Sequence, residues 1–519
     1  MYPMTPTDGE LIMAQLETER MKDTEVIMEL INSHDTKEMV QGEAYYYNDN
    51  DIKKRQQYYW KDGVRLVDTD KVNYRVPHGW HKFLVDQKAA YLAGKPVTFQ
   101  GEDDVYLKKL NEVLNDEFDD VMPELVVNAS NKGREWLHPF INEEGLFDYI
   151  IIPAQEVIPI FGGPKRKNLE MIIRYYQLDE ETTKVEVWDK EQVTYYEKIG
   201  KGELVIDVTE EINPAPHFNY GEKGYGWGEV PFIDFKNNSK GVSDLVFYKE
   251  LIDSYDRNVS DVDNNLEEIQ ALIYVLKGYE GTDLSEFMNN LRMYRAASVS
   301  GEPGTGIDTL QAEVPINTVE AKLNRVTDDI ILFGQGVDPS PDKFGNNPSG
   351  VALQNLYSLL DMKANVLERK FTKGLMWLVW FATEYINISE NKKYDFKTVK
   401  PVFNKTMMSN EVEKVQMGRD SVGIISNKTI ISNHPWVTDV EAEEKQLKEE
   451  LDEYSKMLPS VDGDIIDKKD SNSSGGSSSN SDNKDTTCPE CGGSGKQNSD
   501  ITGKQIQCKK CGGDGVVKR

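Results

Sequence analysis

Gly334-Gln-Gly-Val-Asp-Pro-Ser-Pro-Asp-Lys-Phe-Gly-Asn-Asn-Pro-Ser349 leads without a break into Gly350-Val-Ala-Leu-Gln-Asn-Leu-Tyr-Ser-Leu-Leu360. Pro339, Pro341 and Pro348 each remove an amide donor and fix φ, and the interspersed Gly and Asn favour turns, so residues 334–349 read as an irregular loop. Beyond it Leu353, Leu356, Leu360, Ala364, Leu367, Phe371, Leu375, Leu378, Ala382 and Tyr385 recur in helical steps of three and four. With Ser349 as N-cap, a helix from Gly350 to Ile386 extends about 55 Å. The loop carries Asp338, Asp342 and Lys343 as its only charges and has no catalytic constellation. Its chemistry is that of contact, presented from the end of a rod.

A chain of 519 residues predicts roughly two to four domains. Its formal charge of -29 argues against a protein that grips many phosphates, which would be basic. It leaves open the handling of DNA that must slide. The first residues lack a basic stretch followed by an apolar core, so no signal peptide is expected. The longest apolar run, Leu375 to Ala382, is far short of the roughly 20 residues of a membrane span. All 4 cysteines fall after residue 487, so the body of the chain needs no disulfide and suits a reducing cytoplasm.

Residues 8–32 pattern as an amphipathic helix capped by Thr7 or Asp8. Glu43 to Arg55 interleaves tyrosines with basic residues, a pattern shared by base-stacking surfaces and by tyrosine-rich core edges; so short a run favours the core edge. From Asn73 to Phe99 an extended entry, a helix, a stop at Gly94 and a strand follow. His78 and His81 lack a third ligand nearby, which argues against a metal site. Tyr149 to Ile152 and Val157 to Phe161 read as strands, and after them Leu169 to Leu178, Lys184 to Asp189, Val193 to Lys198 and Glu203 to Val208 alternate apolar and polar residues. They predict an antiparallel sheet with one face to water.

Leu245, Tyr248, Ile252, Tyr255, Val259, Val262, Leu266 and Ile269 make a heptad seam, with Asp253, Asp256, Asp261 and Asp263 among the acids on the other faces. A second seam, Val319, Leu323, Val326 and Ile330, exposes Asp328 and Asp329. Between them a helix at Leu284 to Tyr294 and strands at Ala297 to Ser300 and Thr309 to Val314 surround a Gly-rich turn. Gly301-Glu-Pro-Gly-Thr-Gly306 lacks the Lys-Ser/Thr of a phosphate-binding loop, so no nucleotide is expected. Residues 409–458 pattern as helical, broken at Asn427 to Asn433.

Lys468 to Thr487 is a Ser, Asn, Gly and Asp linker. After it, Cys488-Pro-Glu-Cys491-Gly-Gly-Ser-Gly and Cys508-Lys-Lys-Cys511-Gly-Gly-Asp-Gly offer four thiolates at the spacing of a structural Zn2+ site. The repeats resemble half of the zinc-binding region of Hsp40-type chaperones. Disulfide exchange is the alternative chemistry for these thiols.

Three stretches carry a resemblance for residues 40–458: the Val85-Asp-Gln-Lys-Ala-Ala-Tyr-Leu-Ala-Gly-Lys-Pro-Val97 helix and stop, the order helix, α/β tip, helix, loop and long helix, and the Gly423-Ile-Ile-Ser-Asn-Lys-Thr turn with its acidic helix. Together they resemble the portal proteins of tailed double-stranded-DNA bacteriophages, siphophage type. The resemblance implies an α+β portal fold: wing over residues 1–235, stem helix 236–270, clip 271–317, second stem helix 318–333 and tunnel loop 334–349. A long helix returning to the wing (350–400) and a crown (401–467) complete it, before the linker (468–487) and zinc-ribbon-like tail (488–519).

The implied function is a dodecameric, non-enzymatic ring at one capsid vertex of the virion, assembled in the host cytoplasm and used for genome packaging, head–tail joining and DNA ejection. Its implied partners are duplex DNA, the terminase large subunit, the major capsid and scaffolding proteins and a head-completion adaptor, with no membrane. Val337, Asp338, Lys343, Phe344, Asn346 and Asn347 would touch the DNA, and Asp253, Asp256, Asp261, Asp263, Asp328 and Asp329 would line the channel. The rival reading is a zinc-tailed coiled-coil scaffold or chaperone-like adaptor.

Overall fold

The computed structural model describes residues 23–69, 71–164, 167–221, 223–269, 273–277, 306–310, 316–340, 350–406, 411–437, 440–457, 486–487, 496–498, 505–507 and 516–517. The chain divides into two compact units, Met1–Thr438 and Asp439–Arg519. The first opens with α1 (Thr24–Ser33), capped by Asp23, and α2 (Lys37–Tyr46). The helix predicted as continuous over residues 8–32 is interrupted at Asp23, whose extended backbone and side chain begin a new helix at Thr24; Thr7 and Asp8 lie outside the described residues. A hairpin of β1 (Tyr58–Lys61) and β2 (Val64–Val67) precedes α3 (Trp80–Ala93), β3 (Thr98–Gln100), α4 (Asp104–Leu114) and α5 (Glu117–Lys132).

The turn out of α5 requires Gly133, at φ +88°, where a Cβ would lie 2.3 Å from the Gly241 carbonyl oxygen. It leads into β4 (Arg134–Ile141) and β5 (Phe147–Ile152). Next in the chain is a meander of β6 (Val157–Gly162), β7 (Asn168–Gln177), β8 (Thr182–Trp188), β9 (Gln192–Ile199) and β10 (Val205–Ile206), each antiparallel to the next. Short strands β11 (Ala215–Pro216), β12 (Phe218–Tyr220) and β13 (Lys223–Tyr225) lead to β14 (Ile233–Lys236), which joins β4 and β5 in the order β14-β4-β5.

The meander was expected to turn one face to water, and it does not. Met171, Ile173, Val185, Val187 and Tyr196 are buried with Ile27 of α1, whereas Ile172, Trp188 and Val193, on the opposite face by strand alternation, are buried with Trp136 and Phe232. An N-terminal helix covers the side that alternation alone assigns to solvent.

The next elements are α6 (Lys249–Ile269), the antiparallel pair β15 (Ile273–Lys277) and β16 (Gly306–Leu310), α7 (Ile316–Gly334) and the 41-residue α8 (Gly350–Glu390). Strand β16 starts earlier than the predicted Thr309 to Val314 and pairs with residues 273–277; Leu284 to Tyr294 and Ala297 to Ser300 lie outside the described residues. Helix α8 is the axis of the main core. Leu360, Ala364, Leu367, Phe371, Leu375, Leu378 and Ala382 are buried with side chains of α3, α4, α5, β4 and β14. Gly374 admits Phe235 so closely that a Cβ there would meet its ring at 2.7 Å.

Strand β17 (Lys400–Val402) pairs with β3, and α9 (Glu411–Asp420) and α10 (Asn427–Ser432) come after it. The predicted break at Asn427 to Asn433 is itself a helix, because Ser426 caps it through the Thr429 N–H; the chain breaks instead at residues 421–426, with Gly423 at φ +84°. The second unit holds α11 (Val440–Met457) and four short strands, β18 (Thr486–Thr487), β19 (Lys496–Asn498), β20 (Gln505–Gln507) and β21 (Val516–Val517). Strand β18 pairs with β21 and β19 with β20; the four cysteines lie outside the described residues.

Candidate functional site

The seam predicted from Leu245 to Ile269 is buried only at its start; Tyr255, Val259 and Val262 are half-buried and Leu266 is exposed. Leu245, Tyr248 and Ile252 are buried against Val326 and Ile330 of α7, with Tyr45 and Leu84 closing the cluster. Helix α7 ends in a Schellman motif: Gln335 adopts φ +55°, its N–H meets the Leu332 carbonyl at 3.2 Å, and the Gly336 N–H meets that of Ile331 at 2.9 Å. A Cβ at Gly334 or Gly336 would approach Leu84 methyls to 2.5 or 2.4 Å, so these glycines let the chain pass over α3.

Gln87 then clamps the start of the loop. Its amide donates to the Val337 carbonyl at 2.7 Å and accepts from the Val337 N–H at 2.9 Å. Val337 was expected among the DNA-touching residues; it is instead buried in the core, where a β-branched side chain gains more from apolar packing. Asp338 is half-buried and accepts from Ser340 N–H and Oγ–H at 2.9 and 2.6 Å. Lys343, Phe344, Asn346 and Asn347 lie outside the described residues.

Beneath the clamp is a buried ionic node. Asp244, in the single turn of helix ahead of α6, receives Lys88 of α3 at 2.6 Å, Lys363 of α8 at 3.0 Å and the Asn237 amide at 2.9 Å. Lys88 also donates to Asn237 at 2.8 Å, and Lys363 to the Gly334 carbonyl at 2.8 Å. Burial works to raise the Asp244 pKa, but the two ammonium groups and the amide outweigh it and hold the carboxyl well below its usual range. Burial also keeps His81 neutral, with its pKa pulled down to about 4. Its Nδ1 lies 2.8 Å from the Tyr248 hydroxyl. One cluster thus joins the roots of α6, α7 and α8 to α3.

The acids of α6 are disposed differently from expectation. Asp256 is buried, 2.6 Å from the Asn50 amide, 3.0 Å from the His78 N–H and 2.9 Å from His78 Nδ1, so its carboxylate faces the protomer interior rather than a channel. Asp253 pairs with Lys249 at 2.7 Å and accepts from the Tyr45 hydroxyl, and Asp261 pairs with Arg55. Tyr45, Asn50, Arg55 and His78 thus meet charges that heptad periodicity assigned to solvent. Asp263 is half-buried, Asp328 is exposed, and Asp329 pairs with Arg325 at 3.2 Å.

The family model for phage portal proteins of the SPP1 Gp6-like type matches residues 29–457 of this chain. The chain belongs to that family. The portal protein of Bacillus phage SPP1 is 41% identical over 481 residues, covering 90% of this chain and 94% of that one. The portal protein of Clostridium phage phiCD119 is 34% identical over 440 residues, covering 80% and 92%. A chain in the virion of a native gene transfer agent particle aligns at a TM-score of 0.40 and 13% identity, over 67% of this chain and 88% of that one.

The protein is therefore a phage portal protein, a structural component of the virion at the capsid vertex. The match spans α6 and α7 as well as the strands and helices before them, which removes the basis of the scaffold reading. No helix among the described residues is long and apolar enough to cross a membrane. No cluster of metal-ligating side chains occurs among them either; His78 and His81 serve Asp256 and Tyr248.

In this portal chain the sequence reading passed over Gln87, Lys88 and Lys363, and it counted Asp244 among the acids facing water, whereas Asp244 is buried between two lysines. Lys88 was signalled, since it interrupts the apolar face of a helix between Val85 and Ala89. Lysine is almost never fully buried without a partner. The identity of that partner, 156 residues away, was not signalled.

Proposed function

We propose that this portal chain closes into a ring, of twelve copies by family likeness, through which duplex DNA enters the head during packaging and leaves during infection. Stem helices α6 and α7 form the channel wall, and exposed Asp328 keeps it anionic so that phosphates pass without capture. Residues 338–347 touch the DNA, with Lys343, Phe344, Asn346 and Asn347 supplying contacts that bridge phosphates without gripping them. The region between α6 and α7 docks the terminase large subunit and later the head-completion adaptor, and the outer surface meets the major capsid and scaffolding proteins. The observation that carries the reading is the fixed root of the loop: Gln87 holds Val337 and Lys363 holds Gly334, so the loop is projected from a rigid base. Native mass measurement and negative-stain imaging of the expressed chain test it. A closed ring with a central hole is expected; a monomer or dimer that does not convert would refute it.

For the tail we propose one Zn2+ held by Cys488, Cys491, Cys508 and Cys511. Thr487 is paired with Val516 and Lys496 with Gln507, so two eight-residue segments, 488–495 and 508–515, are bracketed by the same two ladders. Each reads Cys-x-x-Cys-Gly-Gly-x-Gly. Four thiolates in that relation suit a tetrahedral ion that supplies structural closure rather than chemistry. Cys488→Ser with Cys508→Ser should remove about one equivalent of zinc per chain by elemental analysis and leave the ring mass unchanged. Unchanged metal content would rule the site out.

A further inference from the structure

Neither the channel wall nor the DNA-facing loop uses hairpin β1–β2. Asp62 and Gly63, at φ +49° and +77°, close it as the two-residue turn that right-handed strand twist favours. Its register sets Tyr58 opposite Val67 and Trp60 opposite Arg65 on one face, and Tyr59 opposite Leu66 and Lys61 opposite Val64 on the other. Each face therefore offers three apolar side chains and one cation, and neither offers an acid. All eight residues are exposed, Trp60 at 72%. Among the described residues no third strand joins the pair. A two-stranded hairpin is marginal in water until its apolar side chains are covered, and here both faces are open.

The root of this hairpin is well fixed. Arg55 pairs with Asp261, the Tyr74 N–H donates to Asn264 Oδ1 at 2.6 Å, and the Val76 N–H donates to Ser260 Oγ at 3.0 Å. The hairpin thus leaves the side of α6 at the level of residues 260–264.

We propose that β1–β2 is a clasp that seats its Tyr58, Trp60, Arg65 and Val67 face on the stem of the adjacent copy of this same chain, with Arg65 meeting that copy's acids at Asp263 and Glu267. The proposal rests on the ring reading. A ring is built from heterologous contacts, so each copy must present two different, complementary surfaces. The hairpin is one, apolar and cationic. The stem at 263–267 is the other, with exposed Leu266 between half-buried Asp263 and exposed Glu267. Rotation about a channel axis conserves height, so a hairpin rooted at 260–264 meets its neighbour at that level. Tyr, Trp and Arg are the residues enriched at interface cores, and Arg65 already lies 3.8 Å over the Tyr58 ring, a stacked cation ready to be covered.

The test uses the full chain. If the wild type forms no ring by native mass, the ring reading falls and the clasp with it. Given a ring, Arg65→Glu should raise the concentration for half-assembly at least about tenfold with the far-ultraviolet circular dichroism of the protomer unchanged. Adding Asp263→Lys and Glu267→Lys to the same chain should restore it. The amides of residues 58–67 should exchange at least about tenfold more slowly in the ring than in protomers. Wild-type assembly by the charge-reversed chain overturns the clasp, as does exchange as fast in the ring as in protomers. A weakened ring that the added pair of substitutions fails to restore overturns the seat at Asp263 and Glu267. Protection that arises only when a head-completion protein is added assigns the hairpin to that partner instead.

Discussion

Asp244→Asn is expected to lower the stability of the first unit by about 3–5 kcal/mol, read as the loss in urea midpoint of the full-length protein. The wild-type carboxylate answers two lysines, one of them fully buried, and asparagine leaves both charges without a counter-ion. Lys88, whose pKa burial draws down to about 8, can relieve part of the strain by shedding its proton, which limits the cost. Acid dependence carries the same signature. Because folding holds the Asp244 pKa below its unfolded value of about 3.8, its contribution is complete above that pH and is lost as pH falls from there toward the folded value. The gap between wild type and variant should therefore narrow on acidification below about pH 4. A loss under about 1 kcal/mol at neutral pH would mean that the node is not what ties the helices together.

Deleting residues 338–347 should leave ring assembly intact and abolish filling of heads with DNA. The cut begins after Val337, so the clamp by Gln87 and the tie from Lys363 to Gly334 both survive, and the shortened chain keeps its buried anchor. Assembly is checked by native mass and filling by nuclease-protected DNA per head. Filling at the wild-type level would show that these residues do not engage the duplex during translocation. A milder variant, Lys343→Ala with Asn346→Ala and Asn347→Ala, separates contact chemistry from loop length: partial loss is expected if those side chains bridge phosphates.

Periodicity served well where a segment's environment is set by its immediate neighbours. Strands β7 to β9 fall within a residue or two of the alternating runs, and the seven central positions of the α8 stripe are all buried. It failed where burial is imposed from far along the chain. Asp256 lies at a position that a coiled-coil pattern gives to water, yet its partners Asn50 and His78 precede it by 206 and 178 residues, and nothing local announces them. Val337 was misassigned for the same reason, since Gln87 holds it across 250 positions. The β1–β2 hairpin was legible and overlooked: Asp62-Gly63 between Tyr58-Tyr-Trp-Lys61 and Val64-Arg-Leu-Val67 is a strong short-range turn signal.

Because Lys363 grips the terminal carbonyl of α7, the entry to the loop is pinned to the helix that begins at its exit, only 13 residues beyond Gly350. Both feet of the arch stand on one rigid beam. A tilt of that beam carries entry and exit together and cannot stretch the span between them. Any change in the loop must then come from backbone rotations between residues 338 and 349, where Pro339, Pro341 and Pro348 restrict the available torsions.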